Sequence, residues 1–304
     1  LGNDSLSGGA GADDLFGGDN NDVIVGDDGN DSLRGESGSD SLLGGAGDDW
    51  IDGGLGNDTI DGGNGLDTVS YASSQSAVTV ALASAGLQNT GGGGWDLLGA
   101  VENVTGSAYN DILSGTDSNN RIEGNGGNDF LSGGVGNDIL LGGAGNDTLD
   151  GGSLNDTLDG GAGRDVLTGG GNSDVFDFNA VSDSAMRLVT VRTGLGLGSS
   201  SFSYLTNDKC DVITDFAGVG AAVGDQIDLR DLGHLTFIGT AEFYAPNQVR
   251  VGSYSSGLHS TVGSDPNSYI QVNTAGNSGA EMEIIVNDGA ATASQWIEGD
   301  FLLM

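Results

Sequence analysis

The sequence predicts an all-β protein: a right-handed parallel β-roll, that is, a β-helix or solenoid, in two blocks followed by a β-structured cap. Three observations carry this expectation. The first is a nine-residue period, clearest over 44–67, which reads GGAGDDWID, GGLGNDTID, GGNGLD. The second is a glycine count of 59 in 304 residues with only 2 prolines, which rules out collagen while leaving room for many tight bends. The third is an aliphatic residue two places after each repeat aspartate, the spacing of a short strand with one inward side chain.

In the first block, 1–70, the aspartates are Asp4, Asp13, Asp22, Asp31, Asp40, Asp49, Asp58 and Asp67. Each is followed two residues later by Leu6, Leu15, Ile24, Leu33, Leu42, Ile51, Ile60 or Val69. The three residues around the aliphatic form the strand. The glycine-rich six form the turn, because glycine reaches φ > 0 without a Cβ clash and lets coils approach closely. Two nine-residue units make one flattened coil, so alternate units stack. Asp4, Asp22, Asp40 and Asp58 are expected on one edge, with Asp13, Asp31, Asp49 and Asp67 on the other.

Stacked carboxylates repel unless something lies between them. The turn also bends carbonyl oxygens inward, and a mix of carboxylate and carbonyl oxygen is what Ca²⁺ takes, six to eight at a time. The repeat is itself a known signature of calcium-binding parallel β-helices, so this step is a match to a pattern rather than a deduction. Each ion is expected between one turn and the turn eighteen residues on. Asp27 and Glu36 replace the second glycine of their turns, and Asn20 the third. Those turns are expected to bind more weakly or to depart in backbone geometry.

The register stops over 71–105. Asp67 and Asp111 stand 44 residues apart, one short of five units. Residues 77–82 (AVTVAL) alternate like a half-buried strand, 84–94 reads as a loop, and 97–105 (LLGAVENVT) as a strand returning to the stack. Larger coils without calcium turns are therefore expected here. Trp50 and Trp95 are expected to cover the apolar interior.

The second block, 106–177, carries Asp111, Asp129, Asp138, Asp147, Asp156, Asp165 and Asp174. Asn120 stands where another aspartate is due. The inward residues are Leu113, Ile122, Leu131, Leu140, Leu149, Leu158, Leu167 and Phe176. Leu154 and Asn172 each replace a third glycine. Pairing units eighteen apart gives six candidate sites per block, about twelve ions in all. They would offset about 24 of the 36 net negative charges.

Over 178–304 the glycine repeats end and the composition becomes ordinary. Residues 186–204 read as an exposed insertion. Short alternating strands are expected at 211–216, 224–229, 235–239, 248–251, 269–272, 282–286 and 296–303. The segments FDFNAVSDS, DVITDF, GDQIDL, LTFIG and the closing GDFLLM resemble the C-terminal domain of the serralysin family, which follows calcium repeats. With the repeats, the chain resembles a repeats-in-toxin (RTX) protein, hemolysin-type, over nearly its whole length. The resemblance implies that 178–304 caps the roll and ends in an uncleaved signal for type I secretion. It also implies a further calcium site in the cap, for which Asp183, Asp211 and Asp215 are the candidates.

Composition narrows the function. The net charge of −36 disfavours nucleic acid and anionic membranes as partners. No apolar run reaches the length of a membrane span. Cys210 is the only cysteine, so no internal disulfide forms, and it is expected as a small buried residue. No N-terminal signal peptide is visible, and the sequence opens within a repeat unit (LGNDSLS), as expected of the C-terminal part of a longer protein.

Serralysins carry a zinc protease domain, but no HExxH occurs, and His234 and His259, the only histidines, are 25 residues apart. A G-x-S-x-G elbow is also absent. The leading expectation is a calcium-dependent folding module, secreted and extracellular, whose partners are calcium ions and the type I secretion machinery. An alternative makes it the C-terminal part of a secreted metalloprotease, lipase or alginate epimerase, with an extracellular polysaccharide as a partner. A third makes it an adhesive or ice-binding solenoid, but the outer turn positions read Ala, Asp, Leu, Asn and Val, with Thr116 nearly alone.

Overall fold

The structure, a computed structural model, describes residues 2–177 in full. Beyond them it describes the backbone of Leu188–Arg192, Val212–Ile213, Gln226–Asp228, Thr236–Phe237, Gln248–Ser253, Ser268–Asn273, Met282–Asn287 and Phe301–Leu302. All described regular structure is strand, with no helix among the described residues. The chain divides into two compact units, Leu1–Ala144 and Gly145–Met304.

In the first unit the strands stack in parallel, each coil on the one before. One sheet takes Ser5–Ala10, Val23–Asp28, Ser41–Ala46, Thr59–Asn64 and then Trp95–Gly99. A second takes Asp14–Asp19, Ser32–Ser37, Trp50–Asp52, Thr68–Ser70, Asn103–Thr105, Arg121–Glu123 and Ile139–Leu141. Register follows the aliphatic column. Leu6 faces Ile24, Ile24 faces Leu42, Leu42 faces Ile60, and Ile60 faces Leu98. Every such partner from Ile24 to Ile60 is at most 1% exposed, so the core is a single file of aliphatic side chains between sheets. Truncating one of them to alanine removes several methylenes from a site that neighbouring coils cannot refill, at a cost of about 2–5 kcal/mol.

Over 71–105 the interval between stacked residues lengthens from eighteen, with Ile60 paired to Leu98 and Val69 to Val104. Val78 and Val80 are buried, and Thr79–Ala81 opens a third sheet that continues through Ile112–Ser114 and Phe130–Val135. The stretch expected as one returning strand is two. Trp95–Gly99 joins the first sheet and Asn103–Thr105 the second, with Ala100 at φ 47° making the corner between them. Within the expected loop, Gln88–Asn89 pairs antiparallel with the start of Trp95–Gly99.

The tryptophans do not cover the interior. Trp95 is 52% exposed. Trp50 is half-buried on the outer face, where Arg34 lies between rings, its guanidinium carbon 4.7 Å from the Trp50 centroid and 5.0 Å from that of Phe16. A planar cation between two aromatic faces is favourable and keeps its outer edge wet.

In the second unit, Leu149 faces Leu167, which faces Ile213; Leu158 faces Phe176, which faces Ile227, which faces Phe301. A separate five-stranded sheet holds Thr236–Phe237, Gln248–Ser253, Ser268–Asn273, Met282–Asn287 and Leu188–Arg192. The last strand falls inside the stretch expected as an insertion. Its sequence, LVTVR, is rich in β-branched residues, and it pairs in parallel with Met282–Asn287. Cys210, His234, His259, Asp183, Asp211 and Asp215 lie outside the described residues.

The departing turn residues keep the glycine backbone. Asn20 (φ 85°), Asp27 (74°), Glu36 (71°), Leu154 (85°) and Asn172 (83°) all sit in the left-handed region. The expected departure in geometry is absent because neighbouring coils impose the shape, at a local cost of about 1–2 kcal/mol for a residue with a Cβ. Leu154 is 41% exposed, so it gives little burial in return. Leu154→Gly should therefore raise stability by about 1 kcal/mol, read as a higher midpoint of chemical unfolding in a fixed buffer. A lower midpoint would contradict the strain.

Candidate metal centre

The sixth position of each repeat is where the sequence leads one to expect metal ligands, and the fold buries it. Asp22, Asp31, Asp40, Asp49, Asp58, Asp67, Asp111, Asp129, Asp138, Asp147, Asp156, Asp165 and Asp174 are each at most 3% exposed. Asp4 and Asp13, in the first described coil, are more exposed.

Each side chain holds the coil before it. The backbone N–H of Asp4 donates to Asp22 Oδ1 at 2.7 Å, that of Asp22 to Asp40 Oδ1 at 2.8 Å, and that of Asp40 to Asp58 Oδ1 at 2.9 Å. On the other edge Asp13 donates to Asp31, Asp31 to Asp49 and Asp49 to Asp67, each at 2.8 Å. Asp111 donates to Asp129, Asp147 to Asp165 and Asp156 to Asp174 in the same way. The expected two-column stacking is therefore present.

A second ladder, on the fifth position, was not anticipated. Its side-chain oxygen accepts from the coil that follows: Asn21 from Ser39 N–H, Asn30 from Asp48, Asp48 from Leu66, Asn57 from Trp95, Asn110 from Asn128 and Asn146 from Arg164. The recurring Asn before the repeat aspartate was the available signal. These bonds lie at the exposed rim of the turn and tie coils together without burying charge.

The Oδ2 oxygens pose the chemical question. Those of Asp13, Asp22, Asp31, Asp40, Asp49, Asp58 and Asp67 are buried and have no hydrogen-bond partner. Each lies against the first glycine of its own turn, where the carbonyl of the next coil's first glycine often arrives as well. A Cβ on Gly8 would meet Asp13 Oδ2 at 2.7 Å and the Gly26 carbonyl at 2.8 Å, and one on Gly44 would collide with Asp49 Oδ2 and the Gly62 carbonyl. That is why the first position is glycine. The turn interior thus gathers acceptors and no donors. Burying an anionic oxygen unpaired is costly, and this donor set fits a hard, oxygen-seeking cation such as Ca²⁺.

Among the described residues no three His, Cys, Asp or Glu side chains gather around one point. A cage of side chains alone is therefore not what these turns offer. Backbone carbonyls would have to supply the further oxygens of any cation held here, as calcium sites allow and zinc sites do not.

Burial shifts the acids accordingly. Asp58 is pushed up to about 7, first by burial and then by repulsion from Asp96, Asp40 and Asp52, against the lowering effect of the Asp40 N–H. Asp67 is raised to about 6, by burial and then by Asp49, Glu102 and Asp48. Burial also raises Asp40, Asp49 and Asp138.

The interruption supplies two acids that the nine-residue count missed. Asp96 takes the place after Asp58, whose N–H donates to Asp96 Oδ1 at 3.0 Å. Glu102 takes the place after Asp67, whose N–H donates to Glu102 Oε2 at 3.0 Å. They lie 38 and 35 residues on rather than eighteen, so no fixed period finds them.

A carboxyl whose pKa is raised on folding binds its proton more tightly in the closed coil than in the open chain. The resulting stability is fully present below the open-chain value near 3.8 and is lost as pH rises through about 6 to 7. The metal-free chain, in a strong chelator, should therefore gain β-structure by circular dichroism as pH falls from 8 to 5. Equal spectra at the two pH values would contradict the burial of these acids.

Comparison with known proteins agrees with the repeat. A family model described as the RTX calcium-binding nonapeptide repeat (4 copies) matches residues 1–33, 34–69, 105–140, 114–149, 124–158 and 150–185. Among solved structures, the solution structure of the AlgE6R2 subunit from the Azotobacter vinelandii mannuronan C5-epimerase is similar at 23% identity and a TM-score of 0.31, covering 62% of this chain and 91% of that one. No curated protein sequence matches the chain. Over 1–69 and 105–185 the chain is built of calcium-binding nonapeptide repeats and belongs there to the RTX repeat family.

Proposed function

We propose that this chain is a calcium-binding RTX module that closes its coils on Ca²⁺ outside the cell and supports type I secretion of a larger bacterial protein. The observation that carries the reading is the row of buried Asp Oδ2 oxygens without donors, from Asp13 to Asp67. In this reading Ca²⁺ supplies the positive charge that these oxygens lack. The holding groups are the repeat aspartates of both blocks, from Asp4 to Asp67 and from Asp111 to Asp174, with turn glycine carbonyls beside them.

The chain's own residues set the rest. The aspartate Oδ1 atoms fix the spacing of the coils, and the fifth-position Asn side chains fix the rim. The aliphatic file excludes water between the sheets. With a net charge of −36 the metal-free chain opposes its own closure, which suits passage through a secretion channel in a calcium-poor cytosol. Extracellular calcium modules bind at roughly 10⁻⁴–10⁻³ M, so the millimolar ion outside would suffice, and binding free energy would be folding free energy. The division 1–70, 71–105, 106–177 and 178–304, with the last as cap and secretion-signal region, belongs to this proposal. Residues 2–177 contain no His, Cys or Lys, and no catalytic role is assigned to them. Among the described residues no helix is long and apolar enough to cross a membrane.

Calcium added to the chelated chain at pH 7.5 should produce a cooperative gain of β-structure by circular dichroism. Asp40→Asn or Asp49→Asn should raise the calcium midpoint by roughly three- to tenfold, the weight of about 1 kcal/mol. A spectrum indifferent to calcium would sink the proposal.

A further inference from the structure

The turns around the interruption solve the buried-carboxylate problem differently. Asp96 is 1% exposed, and its Oδ1 accepts the Asp58 N–H as the column requires. Its Oδ2 accepts the Thr90 hydroxyl at 2.8 Å and the Tyr71 hydroxyl at 3.1 Å. Asp111 is also 1% exposed. Its Oδ1 accepts the Val78 N–H at 2.7 Å and the Ser107 hydroxyl at 2.8 Å, and its Oδ2 accepts the Ser107 N–H at 2.6 Å. At the next turn Asn120 carries no charge. Its Oδ1 accepts the Thr116 N–H at 2.7 Å and the Thr116 hydroxyl at 3.1 Å, and its Nδ2 donates to the Glu102 carbonyl.

The contrast with the first block is chemical. From Asp13 to Asp67 the second carboxylate oxygen has no donor. Here every carboxylate oxygen of Asp96 and Asp111 has one, from the hydroxyls of Tyr71, Thr90 and Ser107 and from backbone N–H groups. The sequence shows the swap: GSAYND (106–111) and GTDSNN (115–120) put Ser107 and Thr116 where other turns have their second glycine, and Tyr109 and Ser118 where they have the third. A hydroxyl at the second position reaches the side chain at the sixth and supplies the donor that its oxygen lacks in the glycine turns.

We infer that the turns closing on Asp96, Asp111 and Asn120 take no calcium, and that residues 71–120 form a metal-independent splint within the first unit. The inference rests on the calcium reading of the other turns. The splint keeps coil register when calcium is scarce, and it separates the ladder ending at Asp58 and Asp67 from the one resuming at Asp129 and Asp138. It also lowers the ion count. The pairs Asp111/Asp129 and Asn120/Asp138 drop out, leaving about ten ions rather than twelve.

Hydrogen exchange of the full chain, followed by mass spectrometry with calcium and with EGTA, tests this directly. In EGTA, peptides covering Thr79–Ala81, Asn103–Thr105 and Ile112–Ser114 should keep at least tenfold protection, while Val23–Asp28 and Ser41–Ala46 exchange nearly as fast as an open chain. Loss of protection in all of them together would overturn the splint. Calcium counting by native mass spectrometry separates this inference from its premise. Asp96→Asn should bind the wild-type number of ions and Asp40→Asn fewer. Loss of an ion in Asp96→Asn refutes the inference, whereas a full complement in Asp40→Asn refutes the calcium reading beneath it. Should Asp96→Asn fail to fold, the exchange pattern of the wild type still decides.

Discussion

The structure depends on a row of carboxylates held where carboxylates are least welcome. From Asp22 to Asp67 each repeat aspartate is buried at the edge of the roll, one oxygen fixed by the amide of the preceding coil. That bond sets the coil spacing and places like charges above one another. Burial and repulsion act in the same direction, and the upward shifts of Asp58 and Asp67 report both. A fold with this architecture is stable only when the second oxygen of each carboxylate is answered. In the proposed reading a cation answers it in the glycine turns, whereas Asp96 is answered by the Tyr71 and Thr90 hydroxyls and Asp111 by the N–H and hydroxyl of Ser107.

The remaining features are consequences of that arrangement. The first glycine is obligatory because a carboxylate oxygen, and in several turns a neighbouring carbonyl, occupies the space of its Cβ, as at Gly8 and Gly44. The second and third turn positions need positive φ, and beyond the first coil a Cβ there meets the backbone carbonyl of the coil before, as at Gly45 against Asp27 and Gly54 against Glu36. There the chain tolerates Glu36, Leu154 and Asn172 at the cost of strain. The core is only one aliphatic residue wide per strand, and small cores give limited stability. Most of the specificity for this shape must therefore come from polar ladders, of which the fifth-position Asn series is the less costly because it is exposed and uncharged.

The interruption shows how a solenoid keeps step when its sequence does not. Ile60 passes its place in the file to Leu98, and Val69 passes its place to Val104, although neither interval is a multiple of nine. Aliphatic burial and carboxylate capping agree on the same register: Asp96 lies two residues before Leu98, and Glu102 two before Val104. The spacing between acid and aliphatic is thus preserved where the period is lost. That two-residue rule was visible in the sequence and is the signal by which Asp96 and Glu102 could have been found.

By itself the sequence determined the parallel coil, its inward residues, its two edges of aspartates and its calcium-binding repeat. A nine-residue unit with glycine bends admits one local geometry, and translation repeats it. Only the tertiary structure decided what local periodicity cannot encode. It split 97–105 between two sheets, set Trp50 and Trp95 outward, drew Leu188–Arg192 into a sheet with a strand some ninety residues later, and gave the junction its hydroxyl-capped acids. Those outcomes depend on which distant segments meet, and a meeting across an irregular loop is fixed by burial and hydrogen-bond satisfaction in three dimensions rather than by spacing along the chain.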